Sequence, residues 1–418
     1  LFAVGVAVSL PWSSTATGVL IVLWLLTVLP ALDTAAIRPQ LTSAAGGLPV
    51  LLWLLAAVGM LWADVSWTDR IAGLGGFHRL LAIPLLLMQF RRSQHGSAVW
   101  HGFFVSATVV LALSWVLALL PPRVVAHIPA FGSHFVASGV PVKDYVWQSG
   151  IFLICAFVLV DAAYKRLRNG AWRAGLALLG LAACFLAYIV FVITSRTAIV
   201  VAPILAVVLG YRLFGWRGVA IAGIMVAALA GMAMRASPSL HQRVMYSLTE
   251  LRNYLDTDES NSTGLHVEFL KKSMAIVTTA PMFGHGTGSI ADQFRRAASG
   301  EAGTASAVAT VNPHSQIFAV AIELGAMGAV VLLAMWAAHV SLFRGAGSMS
   351  WIGMVIVVEN FVSSFVNSHL FDFGQGWLYV FAVGAAGGTT LRERDAAAID
   401  TMPATDRDGH ADTAFMKR

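Results

Sequence analysis

The sequence predicts an all-α polytopic membrane protein with about twelve transmembrane helices. Three observations predict it. Of the 418 residues, 58% are apolar and only 11% charged, whereas a soluble globular chain carries about 25% charged residues. So few charges cannot cover a water-facing surface, which excludes a soluble enzyme of this length. The apolar residues also fall in runs of span length, roughly 20 residues being needed to cross a bilayer. Lys and Arg, finally, collect in alternate connections between those runs, the pattern that orients helices in a membrane.

Taken in order, the runs cover residues 1–12, 14–33, 47–63, 72–90, 97–120, 148–164, 174–194, 197–213, 217–234, 315–340, 349–368 and 375–390. Leu1 to Leu10 is apolar with no basic stretch before it, so it reads as the remainder of a first span rather than a signal peptide. Arg91 and Arg92 follow the fourth run, and Lys165, Arg166, Arg168 and Arg173 separate the sixth and seventh. Arg212 and Arg217 flank the turn after the eighth, Arg344 follows the tenth, and Arg392 and Arg394 follow the twelfth. All fall on one side, which makes that side and both termini cytoplasmic. The net charge of +6 thereby reports topology rather than nucleic-acid binding. Cys155 and Cys184 lie in apolar runs, offer no metal or disulfide spacing, and read as small buried hydrophobes.

The organisation that follows is residues 1–234 as the first nine spans, 235–313 as an outer loop domain, 314–390 as the last three spans, and 391–418 as an unstructured cytoplasmic tail. No internal repeat is visible. A connection of the loop's length is functional unless disordered, and this one carries helical patterns. Leu240, Val244, Leu248, Leu251 and Leu255 recur at helical spacing, with Arg243 and Arg252 in the same segment, so this helix is expected along the membrane surface. A second helix, from about Leu265 to Thr279, has Val267, Leu270, Met274 and Val277 on its apolar face and the pair Glu268 and Lys272 on the opposite one. Pro281 ends it. A shorter outer connection, from Pro121 to Gln148, holds His127, His134 and Lys143.

Chemistry is sought among the polar groups of the outer face. Arg196 sits in a very short turn between two apolar spans, on the side where Lys and Arg are disfavoured. A snorkelling arginine is the bland explanation, but a fixed guanidinium suits bidentate contact with phosphate oxygens, and phosphate binding is favoured. His314 follows Asn312 and Pro313 at the expected start of the tenth span. Helix amides there favour a neutral imidazole and therefore a base, against a purely structural histidine. Gly284, Gly286 and Gly288 read as a tight turn whose amides offer an anion nest near a lipid phosphate; no strand precedes them, so they are not a dinucleotide fingerprint. Glu323 and the pair Glu359 and Asn360 fall within spans and are the best argument for a transporter, although inverted-repeat symmetry is missing. Arg79, beside His78, adds a basic group near the outer end of the fourth span. No metal-binding spacing is present, and the paired acidic residues a metal would need are missing near Arg196 and His314. Asp256, Asp258 and Glu259 read as a solvated turn.

Four pieces in order, Ser195-Arg196-Thr197, Leu265-His266-Val267-Glu268-Phe269, Pro281 to Gly288, and Asn312-Pro313-His314 with Glu323-Leu324-Gly325 downstream, resemble the bacterial O-antigen ligases, within the superfamily that includes O-antigen polymerases and O-linked oligosaccharyltransferases. Where the family commonly carries Arg, this chain has His266, a weaker clamp for pyrophosphate. The resemblance implies a donor of undecaprenyl diphosphate carrying a polysaccharide and, as acceptor, a sugar hydroxyl of lipid A–core at the periplasmic face of the inner membrane of a Gram-negative bacterium. It also implies direct displacement with inversion, no cofactor, no metal ion and no nucleic-acid partner. Arg79, Arg196 and Arg243, with His266, Gly284 and Gly286, would hold the diphosphate. His314 would be the base, and Asn312 and Lys272 would be positioning residues. A polymerase or a protein-directed oligosaccharyltransferase would use the same donor, and a lipid-glycan transporter is the alternative of another class.

Overall fold

A computed structural model describes residues 1–125, 139–193 and 195–400, and every regular element among them is helical. In chain order the helices are α1 (Phe2–Ser9), α2 (Ser14–Val28), α3 (Thr34–Thr42), α4 (Ala44–Gly59), α5 (Trp67–Gly75), α6 (Ala82–Arg92), α7 (Gly96–Leu119), the single turn α8 (Pro122–Val125), α9 (Tyr145–Arg168) and α10 (Trp172–Phe191). They continue as α11 (Arg196–Phe214), α12 (Trp216–Ala236), α13 (Pro238–Thr257), α14 (Ser262–Thr279), α15 (Ile290–Ala297), α16 (Gln316–Leu342), α17 (Ser348–Ser363), α18 (Phe373–Phe381) and α19 (Gly387–Asp400). His127 and His134 lie outside the described residues. Lys143 donates to the Leu10 carbonyl at 2.6 Å, which ties the connection before α9 to the end of α1.

Among the described residues six helices, α7, α9, α10, α11, α12 and α16, are long and apolar enough to cross a membrane, or eight spans if the bent pairs α3 with α4 (83°) and α5 with the helical stretch His78–Arg92 (46°) each count once. The expected twelve is therefore not reproduced by length and composition. The first, second and eleventh runs are helices too short for the test, and the twelfth is divided between α18, a π-helical segment Ala382–Ala386 and α19. Hydropathy finds each apolar run but not the Ser, Pro or Gly that cuts its helix. The tail differs too: α19 stays helical to Asp400, with Arg394 donating to the carbonyls of Leu342 and Arg344 at 2.8 Å. Cys155 is buried as expected, but Cys184 is exposed on α10.

Lipid contact follows from what the spans leave uncovered. Only 6% of the apolar stretch of α12 is buried, and Ile221, Ile224, Met225 and Leu229 all face outward. A helix apolar on every side and exposed is stable in hydrocarbon, not in water. By contrast α9 is the central post, 72% buried. At one end of the bundle the basic connections gather: Arg91 pairs with Asp395 at 2.8 Å, Lys165 with Asp161 at 2.8 Å, and Arg212 holds the Gly345 and Ala346 carbonyls at 2.8 Å each.

The loop helices form a cap over the start of α16. Ser237 caps α13 through Leu240 N, with Pro238 in its first turn, and Asn261 caps α14 through Gly264 N. The faces of both helices differ from the sequence expectation. On α13, Leu248 and Leu255 are exposed while Glu250 and Tyr254 turn inward. On α14, Leu270 and Met274 are exposed, and the buried face carries Glu268, Phe269, Lys272, Ser273 and Ile276. Burial of the charged pair is possible because both are satisfied. Tyr254 donates to Glu268 at 2.7 Å, and Lys272 donates to the carbonyls of Ser306 and Val308 at 2.7 and 2.8 Å.

The glycine segment has a structural task. Gly325 (φ 64°) breaks α16, which frees carbonyls above the break and amides below it. The segment 281–286 runs alongside and takes them up: His285 and Gly286 amides donate to Ile322 and Glu323, and the Ala326 amide donates to Pro281, at 2.8 to 2.9 Å. A side chain at Gly284 or Gly325 would collide with the opposing backbone, at 2.5 and 2.3 Å. Irregular backbone within a span is tolerated only when so satisfied.

Candidate functional site

Between the first turn of α11, the helices α13 and α14 and the segments before α16 and after α17 lies a cleft of about 460 Å³. Arg196, Arg243, His266, His314, Asn367 and Tyr145 are in its wall. Ser195 caps α11 through Ala198 N and so sets Arg196 in the first helical turn. Its Nη2 pairs with Glu250 at 2.8 Å, and Thr263 donates to the same carboxylate oxygen at 2.5 Å. Burial raises the Glu250 carboxyl, but the hydrogen bonds from Thr263 and Arg196 prevail and hold it below the usual range. The sequence reading did not identify Glu250 as the partner of Arg196. Its signal was the spacing of Arg243 and Glu250, seven residues and two helical turns apart on one face. The Nε atoms of both Arg196 and Arg243 are buried without a hydrogen-bond partner among the described residues. Two guanidiniums thus stand in the cleft wall, each with a nitrogen that the described residues leave unpaired.

His314 is held differently from the expectation of a helix-start residue. The helix begins two residues later, after Ser315, and His314 itself is left-handed at φ 53°. The reason is local: the Asn312 side chain accepts the His314 amide at 2.9 Å, closing a turn before the helix can start. Ser368 donates to that same oxygen at 2.8 Å, and Asn312 donates to Asn367 at 3.2 Å, so α16 and the segment after α17 are locked together at this point. The imidazole packs edge-on to His266, with ring centres 4.5 Å apart, and parallel to Phe269. Burial pushes the His314 imidazole below 6.5, against a contact with Asn367 that raises it. The surrounding protein, then His314 and Arg196, likewise push His266 down. Both rings are neutral at neutral pH, through burial more than through helix amides.

Behind them sits His369, which sequence reasoning missed. It is buried, its Nδ1 is 2.8 Å from Ser363 Oγ, its Nε2 is unpartnered among the described residues, and burial together with His314 pushes it to about 4.

Of the other sequence candidates, Asn312 and Lys272 hold the site's frame as described. Arg79, Gly284 and Gly286 are not in the cleft wall. Arg79 donates to the carbonyls of Phe371 and Asp372, and the Gly284 and Gly286 amides donate to Ala280 and Glu323. An anion nest needs free amides, and these are occupied. Gly288 N donates to Glu323 Oε1 at 2.8 Å, so the span carboxylate also braces the glycine segment. Asp258, in the acidic turn, accepts from Ser306.

Residues 180–333 match the family described as O-Antigen ligase. Over that stretch the chain is similar to the O-antigen ligase superfamily. No curated protein matches the chain. The matched stretch runs from α10 into α16 and contains Arg196, Arg243, Glu250, His266 and His314. The similarity is to the O-antigen ligase and polymerase group, whose members are glycosyltransferase-type enzymes. Asn367, in the cleft wall, and His369, behind His314, lie beyond the match and are brought there by folding.

Proposed function

We propose that this protein belongs to the O-antigen ligase superfamily and is an O-antigen ligase. It transfers a polysaccharide from undecaprenyl diphosphate to a sugar hydroxyl of lipid A–core, at the periplasmic face of the inner membrane. The observation that carries the reading is one cleft whose wall brings two guanidiniums, Arg196 and Arg243, together with a packed pair of neutral imidazoles, His266 and His314. The exposed apolar side chains Val200, Leu270, Phe365 and Val366 at the same cleft suit a lipid-linked donor entering from the bilayer.

The chemistry balances in one step. The acceptor oxygen forms the new bond to the anomeric carbon as the bond from that carbon to the diphosphate oxygen breaks, so configuration inverts. His314 takes the hydroxyl proton as general base. The electron pair leaves on the diphosphate, whose growing charge meets Arg196 and Arg243. Glu250 orients Arg196 and half-neutralises it, which favours release of the product diphosphate. His266 supports the base by packing against it rather than clamping pyrophosphate. Diphosphate is already a good leaving group, so the step requires no covalent nucleophile.

The test is transfer with purified protein, lipid A–core and undecaprenyl-diphosphate glycan, with and without EDTA. The expected outcome is high-molecular-weight lipopolysaccharide in both conditions, lost in His314→Ala and Arg196→Ala. Longer lipid-linked glycan alone would make the protein a polymerase, and glycan on Ser or Thr of a protein would make it an oligosaccharyltransferase. Donor translocation without bond formation would return attention to Glu323 and Glu359 and a transporter.

A further inference from the structure

Three helices that reach the cleft with one end meet again at a second, larger cavity with the other. Tyr145, Arg196 and His314 stand at the cleft ends of α9, α11 and α16, and Arg168, Arg212 and Arg344 at their far ends. Along α9 that separation is roughly 35 Å at 1.5 Å per residue. This far cavity, of about 1280 Å³, is lined by Lys165, Arg168, Arg212 and Arg344, with Asp161 the one carboxylate in its wall. Asp161 is already taken: Lys165 and Arg212 each pair with it at 2.8 Å. Glu393 approaches Gly347 just outside the wall. Arg212 is rigid, fixed by Asp161, by the Gly345 and Ala346 carbonyls and by the Trp351 face at 4.9 Å. Arg168 lies over Tyr164 and, like Arg344, is exposed. A concave site holding four cations against one carboxylate is built for an anion, because like charges so placed repel until something negative enters.

We propose that this cavity binds the phosphodiester headgroup of an anionic membrane lipid, at the end of the bundle opposite the cleft. Two features name the lipid as the source of the phosphate. Trp172, Tyr211 and Trp216, at 63%, 53% and 78% exposure, stand at the same end of the neighbouring helices, as aromatic side chains do at a bilayer interface. The wall also includes Val208, Leu213 and Met354, apolar surface that an acyl chain covers and a free anion does not need. Basic pockets between spans are general receptors for acidic headgroups. A lipid there would pin the far ends of the three helices whose other ends shape the cleft.

The experiment measures binding and needs no transfer activity, so its outcome is independent of the ligase reading. The protein in a neutral detergent is titrated with short-chain phosphatidylglycerol, with phosphatidylcholine of equal chain length, and with glycerol phosphate, using thermal shift and native mass spectrometry. Phosphatidylglycerol is expected to bind and stabilise, the other two far less. The double variant Arg168→Gln with Arg344→Gln is expected to bind it roughly 30-fold more weakly, while Arg168→Lys with Arg344→Lys retains binding. Equal binding of the two lipids would overturn the proposal, as would unchanged affinity in a folded Gln variant. Glycerol phosphate binding as tightly as the lipid would assign the cavity to a soluble anion instead. Should the Gln variant not fold, the preference of the unaltered protein between the two lipids decides.

Discussion

At the residue scale, the site is defined by what each polar atom lacks. Arg196 pairs with the Glu250 carboxylate, and both Arg196 and Arg243 keep a buried Nε without a partner among the described residues. His314 is held by its backbone, and its ring packs against His266 and Phe269 in the cleft wall. Because burial holds its imidazole below 6.5, the neutral form is the folded protein's form at neutral pH. The sign follows directly: a base whose active form is unprotonated loses activity as pH falls through its folded value. The rate profile of kcat/KM is expected to be flat around neutrality and to fall only on the acid side, below the ordinary histidine value of about 6.5. A limb centred above that value would remove His314 from the base role. Replacing it, as in His314→Ala, is expected to cost roughly 10²- to 10⁴-fold in kcat, with donor KM little changed.

At the element scale, the loop helices are held by a few buried polar ties. Lys272 joins α14 to the connection before α16 through two carbonyls. Lys272→Met keeps the stem but strands both acceptors, at about 1–3 kcal/mol for a buried group left unsatisfied. The connection is then expected to loosen, seen as faster tryptic cleavage at Arg295 or Arg296; equal cleavage rates in the two proteins would contradict the tie. The glycine segment is a sharper case. Gly286 sits at φ 88°, and a Cβ there would stand 2.4 Å from the Ala63 backbone. Gly286→Ala is expected to lower the melting temperature markedly, strain alone costing about 1–3 kcal/mol. Gly180→Ala, in open space on α10, should leave it unchanged. Matching melting curves for these two variants would show that the seam between the loop and the broken helix does not depend on close approach.

At the scale of the whole molecule, the cleft and the basic cavity occupy opposite ends of shared helices, and the lipid-facing surface lies between. Cysteines placed at Glu301, in the loop, and at Asn169, in the turn between α9 and α10, are therefore expected on opposite sides of the membrane. In a Cys184→Ala background, a membrane-impermeant thiol reagent applied from outside the inner membrane should label the first and spare the second. Labelling of both in sealed cells would refute the orientation.

From the sequence alone came the all-helical membrane class, the helical patterns of the long loop, the family resemblance and the candidates Arg196, Arg243, His266 and His314, which the structure brings into one cleft. Those are local matters: composition, spacing along one helix, and motifs short enough to read in order. Hydropathy is additive along the chain, so it counts apolar runs well. It is blind to breaks such as Gly325, whose cost vanishes only because a distant segment supplies the missing hydrogen bonds. For the same reason Gly284 and Gly286 looked like an anion nest, since nothing in the sequence shows that their amides are already taken. Only the tertiary structure could turn the polar side of α13 inward, set Glu250 against Arg196, bury Lys272 among carbonyls, and bring Asn367 and His369 to His314. Each of these depends on a partner far along the chain, and the energy of a buried polar group is decided by that partner rather than by the residue itself.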